Sequence, residues 1–263
     1  MNPEKVNKSR IFFRKLKLKF TNLLKFFFHK SFRAQKLDYK RIPIFIISFN
    51  QLDYMKRLID YLWKHNYRNI KIIDNNSTYP PLLDYYNSIE DRIKIFRLDK
   101  NYGYRVFWKK MNLFEKFTNG YFVLTDPDIL PNQNCPSDFL KHFMKILDGN
   151  PEVKKVGFSL QIDDLPNENP LKKNIIEWEK KYWVKKNKNG DFIAEIDTTF
   201  ALYRPGVKSV SYKAIRTNEP YMAKHLPWYR DEQQLTKNEL YYQETAGSSN
   251  SWNINRLNQR YTK

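Results

Sequence analysis

The sequence is poor in the residues that staple or punctuate a fold. One cysteine among 263 residues, Cys135, has no second thiol for an intramolecular disulfide and argues against a cysteine-based zinc site. A reducing compartment is the expected setting. Seven glycines exclude a collagen-like or glycine-rich low-complexity chain. The longest apolar runs, such as 42–49, fall well short of the roughly 20 residues that a membrane-crossing helix needs. At the N-terminal end Phe26-Phe27-Phe28 lies between Lys25 and His29, and no small-residue cleavage site follows, so no signal peptide is expected. Acidic residues are also scarce, 28 against 47 Lys and Arg, for a net charge of +19. An excess of that size draws polyanions such as anionic lipid, phosphorylated ligands or nucleic acid.

What is present is apolar and aromatic. Hydrophobic residues make up 41% and aromatic residues 16%, enough to bury a core and to exclude intrinsic disorder. The length fits one large domain or two small ones. More than half of the net charge sits in residues 1–41, which carry thirteen Lys and Arg against Glu4 and Asp38. Within 9–33, Phe12, Leu16, Phe20, Leu23 and Phe27 recur at spacings of four and three, the stripe of an amphipathic helix with a basic opposite face. Such a helix suits an anionic membrane surface, where apolar burial and headgroup attraction act together. The alternative is a helix that packs its stripe on the domain behind it.

From Ile42 onward, short apolar runs alternate with amphipathic stretches. Strands are expected at 44–49, 70–74, 93–98 and 121–125, with helices over 52–65, 82–88 and 104–117 between them. Strands alternating with helices predict an α/β domain built on a mainly parallel sheet, flanked by helices, with ligands at the carboxyl ends of the strands. The second half is less regular: a helix over 137–147, a strand at 155–160, a polar loop over 163–170, a helix over 171–184, and strands at 192–196 and 200–203. The expected organisation is a basic segment 1–41, a domain over 42–235 with halves 42–130 and 131–235, and a loosely held polar tail 236–263.

Polar residues gather at the expected ligand edge. The first strand runs into Ser48-Phe49-Asn50, the second into Asp74-Asn75-Asn76-Ser77, the third into Asp99-Lys100-Asn101-Tyr102-Gly103, and the fourth into Asp126-Pro127-Asp128. One such end would be an ordinary turn; four on one edge form a constellation. Asp126 and Asp128, one residue apart after a buried strand, can reach a divalent cation such as Mg²⁺ or Mn²⁺ and the phosphates it neutralises.

This arrangement resembles the GT-A fold, a Rossmann-like α/β architecture of nucleotide-sugar glycosyltransferases, and most of all the family 2-like enzymes of bacterial surface polysaccharides. The matching segments are IFIISFNQLDYMKRLIDYL, IIDNNST, NYG and TDPD, within 44–229 and clearest in the first half. The resemblance implies that Asp74 bonds a nucleotide base, that Ser48, Asn50 and Asn76 line the same pocket, and that Asn101 and Gly103 lie near the nucleotide. It places Asp126 on the ribose side and at the metal, with Asp128 on the metal. Where that group often has Asp-Asp-Gly-Ser, this chain has Asp74-Asn75-Asn76-Ser77, without the second acid. His225 in AKHLPWY is the expected further metal ligand, with Arg216, Lys224 and Tyr229 near a diphosphate.

The implied activity is metal-dependent transfer from a nucleotide-diphosphate sugar, with a UDP-sugar expected, to a glycan or lipid-linked acceptor during surface-polysaccharide synthesis. The setting would be the inner face of the cytoplasmic membrane. Transfer with inversion needs a carboxylate base, for which Asp164 and Asp197 rank nearly equal, ahead of Asp163 and Glu219. A nucleotidyltransferase or another nucleotide-binding α/β enzyme is the alternative, but no glycine-rich phosphate loop is present. A basic nucleic-acid binder would explain the charge, yet that charge concentrates in one N-terminal helix, and no nucleic-acid partner is expected.

Overall fold

The computed structural model describes residues 3–109, 113–207 and 212–247. Helices α1 (Pro3–Phe28) and α2 (Lys30–Leu37) precede the domain. Its first half runs β1 (Ile44–Ser48), α3 (Leu52–Lys64), β2 (Ile70–Asp74), α4 (Pro80–Ile89), β3 (Lys94–Arg97), the short helices α5 (Val106–Lys109) and α6 (Leu113–Phe117), and β4 (Phe122–Thr125). Of the helix expected over 104–117, 106–109 and 113–117 are helical, and residues 110–112 lie outside the described part. The second half contains β5 (Ile129–Pro131), α7 (Phe139–Gly149), β6 (Lys155–Leu160), α8 (Lys172–Lys180), β7 (Ala201–Tyr203), β8 (Ala214–His225) and α9 (Lys237–Thr245).

The eight strands form one sheet in the order β3-β2-β1-β4-β7-β6-β8-β5. β1 pairs in parallel with β2 and β4, and β2 with β3. The α/β architecture and the parallel first half are those expected. The second half is mixed, because β7 runs antiparallel to both β4 and β6, and β5 antiparallel to β8. Chain order reverses between β1 and β4: β2 and β3 build outward on one side and the rest of the sheet on the other. A crevice opens at the carboxyl ends of strands at such a switch point.

Burial explains the elements. β1 and β4 are buried at every position, as strands covered on both faces must be. α3 puts Leu52, Met55, Leu58, Ile59 and Leu62 into the core at helical spacing and turns charged residues outward. α7 does the same with Phe139, Phe143, Ile146 and Leu147. One core lies on the α3/α4/α7 face; a second, around Phe45, Phe107, Phe122 and Tyr203, lies on the α5 face.

Three expectations change. Phe192–Ile196 is irregular rather than a strand: Phe192 alone exchanges backbone hydrogen bonds with Arg216, at 2.8 and 2.9 Å. The long β8 was hidden because Asn218, Glu219 and Pro220 interrupt its apolar pattern. Of the tail expected to be loose, 237–245 forms α9, opened by a Thr236–Glu239 capping box, and residues 248–263 lie outside the described residues. Polar and ring contacts hold it: Tyr54 donates to Glu239 at 2.8 Å, Asn50 donates to Thr245 at 2.9 Å, and the Tyr79 and Tyr241 rings lie 4.5 Å apart, tilted by 30°.

α2 is stitched to the domain more tightly than a separate basic segment would be. The Gln35 side-chain amide pairs with the Tyr121 backbone in both directions, at 2.7 and 3.0 Å. A Cβ at Gly120 would collide with that amide, which is why glycine stands there. Phe32 is fully buried and stacks on Tyr121. α1, about 39 Å long at the helical rise, meets the body through Asn22 to Asp148 at 3.4 Å and an exposed Arg14–Glu152 pair at 3.0 Å. Leu18, Asn22, Lys25 and Phe26 are half-buried, whereas Phe12, Leu16, Phe20, Leu23 and Phe27 are all more than half exposed. The apolar stripe faces away from the protein. Among the described residues no helix is long and apolar enough to cross a membrane.

Candidate functional site

At the β1/β4 switch point lies a cavity of about 550 Å³. Ser48 enters it from the end of β1, Asn101 and Gly103 from the loop after β3, and Asp126 and Asp128 from the turn after β4. Asp197 and His225 enter from the other side. These seven expected site residues share one space. Asn50, Asp74, Asn76 and Asp164 are not on its wall.

The exceptions have local causes. Asp74 is buried and turned into its own turn: its carboxylate accepts from Ser77 Oγ, from Ser77 N at 3.1 Å and from Tyr86 Oη at 3.2 Å. Burial raises its pKa against the pull of those bonds. Asn50 adopts φ 52°, where Asn is tolerated. Its Oδ1 accepts from Thr78 N at 2.8 Å and Tyr79 N at 3.1 Å, and its own N–H donates to Ser77 Oγ at 2.9 Å. Asn76, at φ 66°, is exposed. Asp74 and Asn50 thus brace the two turns, and the residues beside them face the cavity. Asn75 donates to Gly103 O and accepts from Tyr102 N, both at 3.3 Å, which ties the β2 end to the loop after β3. Gln51 donates to Asp128 Oδ2 at 3.3 Å.

Asp126 and Asp128 diverge. The Asp126 backbone N–H donates to Thr198 O at 3.2 Å. Burial and then the Asp128 charge push the Asp126 carboxyl well above the usual range. Asp128 instead faces the end of β8, where His225 Nε2 lies 3.6 Å from its Oδ2. The pairing of Ile129 with His225 and the bond from Leu226 N to Asp128 O at 2.9 Å fix that approach. Burial lowers the His225 pKa, favouring the neutral imidazole that a metal requires.

Among the described residues no three His, Cys, Asp or Glu side chains converge as a metal-binding group. Of the expected trio, Asp128 and His225 form the close pair, and Asp126 shares the cavity wall with them. That pair still suits a divalent cation. Asp128 Oδ1 and His225 Nδ1 are buried and make no hydrogen bond, and Mg²⁺-type sites use few protein ligands and fill the rest with water and substrate phosphate.

The two carboxylates ranked equal from sequence part company. Asp164 is outside the cavity, bonded by Lys224 and by Tyr229 Oη at 2.6 Å. Burial would raise its pKa, but those bonds and the Lys224 charge outweigh it and hold the carboxyl low. Asp163 and Glu219 are exposed and off the wall. Asp197 is exposed at the cavity edge, on a loop clamped by two buried cations. Lys155 Nζ donates to Ile196 O at 2.6 Å and Asp197 O at 3.3 Å. Arg216 Nε donates to Glu195 O at 2.6 Å while its guanidinium pairs with Glu179 and lies 3.9 Å over Tyr182. Burial pushes the Glu179 carboxyl up to about 7, with Arg216 pulling it back.

Sequence reasoning missed Gln51, Asn75, Lys155, Glu179 and Tyr242, which lines the cavity from α9. Gln51 and Asn75 adjoin residues that it did find. Tyr242 gave no signal, because α9 has no apolar face.

No protein-family model matches this chain, and no curated protein matches it. Among solved structures it is similar to the mannosyltransferase PcManGT from Pyrobaculum calidifontis in complex with GDP-Man and Mn²⁺, at 14% identity and TM-score 0.43, covering 81% of this chain and 68% of that one. It is also similar to S. aureus TarS 1–349, at 11% identity and TM-score 0.44, covering 70% and 59%, and to the same protein with UDP-GlcNAc, at 12% and 0.44, covering 72% and 61%. The chain spans about three fifths of those TarS chains.

Proposed function

We infer that this protein is a glycosyltransferase that moves a sugar from a nucleotide-diphosphate donor to a glycan or lipid-linked acceptor. The observation that carries the reading is the switch-point cavity, where an Asp-Pro-Asp turn, the half-buried His225 and the polar ends of the first strands line one space. The phosphates of a donor and a divalent cation would meet at Asp128 and His225. Bound there, Mn²⁺ or Mg²⁺ supplies positive charge where the leaving diphosphate gains negative charge. Ser48, Asn75, Asn101 and Gly103 would border the nucleoside, with Asn75 on the wall in place of Asp74.

Asp197 is the base in this reading, in preference to Asp164. As the acceptor hydroxyl oxygen bonds to the anomeric carbon, the bond from that carbon to the diphosphate oxygen breaks. The electron pair leaves with the diphosphate, and the hydroxyl proton passes to Asp197. The product anomer is inverted. Asp164, ion-paired and held low, is a poor proton acceptor.

The outward stripe of α1 supports association with an anionic membrane surface through residues 9–33, and in this reading the enzyme works on the inner face of the cytoplasmic membrane beside lipid-linked acceptors in surface-polysaccharide synthesis. A helix packing its stripe on the domain would have buried Phe12, Phe20 and Phe27, all of which are exposed. Each Lys or Arg near the surface adds on the order of 1 kcal/mol.

The deciding experiment is a thermal-shift panel of UDP-, GDP-, CMP- and dTDP-sugars, with and without Mn²⁺. Stabilisation by one nucleotide class that requires the metal supports the reading; no stabilisation by any of them removes it.

A further inference from the structure

A second cavity, of about 370 Å³, adjoins the first on the α5 side of the sheet, within the range of roughly 300–1,000 Å³ usual for small-molecule sites. Tyr104, Tyr182, Asp197 and Thr198 border both. Its remaining wall includes the aromatic Trp108, Tyr203 and Tyr212 beside charged and aliphatic side chains. Trp108 packs edge-on to Tyr203 at 5.8 Å, and its indole N–H is buried without a hydrogen-bond partner. Tyr104 and Tyr212 are more than half exposed.

The charges on that wall decide what it can hold. Lys155 contributes little as a free cation, because its ammonium is buried and donates to Ile196 O, Asp197 O and Tyr203 Oη, the last at 3.1 Å. Arg105 then shares the wall with the acidic Glu195 and Asp197, a balance that does not select a phosphate or another anion. An uncharged ring with one apolar C–H face and a rim of hydroxyls fits better. Aromatic side chains supply apolar area with little entropy loss, while the carboxylates and the guanidinium take up hydroxyls.

We propose that this second cavity binds an uncharged pyranose of the acceptor glycan, stacked among Tyr104, Trp108 and Tyr212 with a hydroxyl presented to Asp197. The assignment rests on the glycosyltransferase reading for its meaning, though not for the binding itself. It makes the nucleotide half of the domain, through α5, part of acceptor selection. The clamp of Lys155 and Arg216 on 195–197 holds Asp197 between donor and acceptor.

Saturation-transfer NMR on the full chain, with methyl glycosides of glucose, galactose, mannose and N-acetylglucosamine as probes, tests it directly. At least one glycoside should give a signal that Trp108→Ala and Tyr212→Ala each weaken about tenfold or more, with nucleotide-sugar thermal shifts unchanged. Tyr212 is exposed, so its variant keeps the test valid if loss of Trp108 disturbs packing. Absence of signal from every glycoside, or signals indifferent to both substitutions, would overturn the proposal. So would a uronic acid or sugar phosphate binding better than every neutral glycoside. Glycoside binding without any nucleotide-sugar response would instead sink the transferase reading and leave a carbohydrate-binding site.

Discussion

The two sides of the cleft are built by different means. On the β1/β2 side, short-range amide and carboxyl groups hold the turns: Asp74 reaches Ser77, and Asn50 reaches residues 77–79 on the neighbouring strand end. On the Asp197 side, buried cations from distant strands hold a loop without regular structure, Lys155 from β6 and Arg216 from β8. The first kind of scaffold follows from neighbouring sequence. The second exists only once β6, β7 and β8 are side by side, and it carries the carboxylate proposed as the base.

The largest effect that bears on this contrast is expected at the metal pair. Asp128→Asn should lower transfer by roughly 1,000-fold, the scale of losing a main electrostatic stabiliser. The melting temperature should hold or rise, because the amide removes a like charge beside Asp126. Near-normal turnover at limiting Mn²⁺ would show that the metal does not sit there.

Next comes the base. Asp197→Asn should cost about 100-fold in turnover with donor affinity retained, while Asp164→Asn should leave turnover within a fewfold range. Steady-state kinetics of the two variants side by side would reverse the assignment if Asp164 proved the costly one.

The cation clamp should show itself in stability as well as rate. Lys155→Met leaves Ile196 O and Tyr203 Oη without their donor, a loss of about 1–3 kcal/mol, and should lower kcat more than it raises donor KM. Burial, against the pull of the Asp197 charge, brings the Lys155 ammonium down to about 8 from 10.5. The folded state therefore binds fewer protons than the unfolded state between those values, so this group's contribution to stability increases as pH rises through that window. The stability advantage of wild type over Lys155→Met should therefore widen as pH rises from about 8 to 10.5, read from melting curves of both across pH 7–10.5. A difference independent of pH would mean that the lysine is not titrating there.

On the turn side, Asn50→Gly keeps the positive φ but removes the bonds to Thr78, Tyr79 and Thr245, for a loss of about 1–3 kcal/mol with the Asp197 side unaffected. Denaturant melts measure the loss, and transfer kinetics at full folding check its confinement to one side. The smallest stability effect belongs to α1: Phe20→Glu with Phe27→Glu should shift stability by under about 0.5 kcal/mol per site. The same pair should abolish co-sedimentation with anionic vesicles. A large drop in melting temperature would mean that the stripe packs on protein after all.

Much of this was legible in advance. Buried strands with helices between them announced the α/β sheet, and β2 and β6 have the bounds that their apolar runs predict. Polar residues at four strand ends located the cavity, because a parallel sheet places its carboxyl ends together. Individual roles were less legible. Asp74 and Asn75 are neighbours, and only the turn geometry sends the acid inward to Ser77 and Tyr86 and the amide toward the cavity.

The sequence by itself determined the first half of the domain, the Asp-Pro-Asp turn and the amphipathic character of α1, since each depends on residues within a few positions of one another. Tertiary structure decided which carboxylate faces the cleft, which histidine meets Asp128, where the second cavity opens and which way the α1 stripe points. Those outcomes depend on strand order across the β4-β7-β6-β8-β5 half of the sheet and on how α1 docks through Asn22 and Phe26. Local periodicity fixes which residues share a face of an element, but what that face meets is settled only when distant segments pack together.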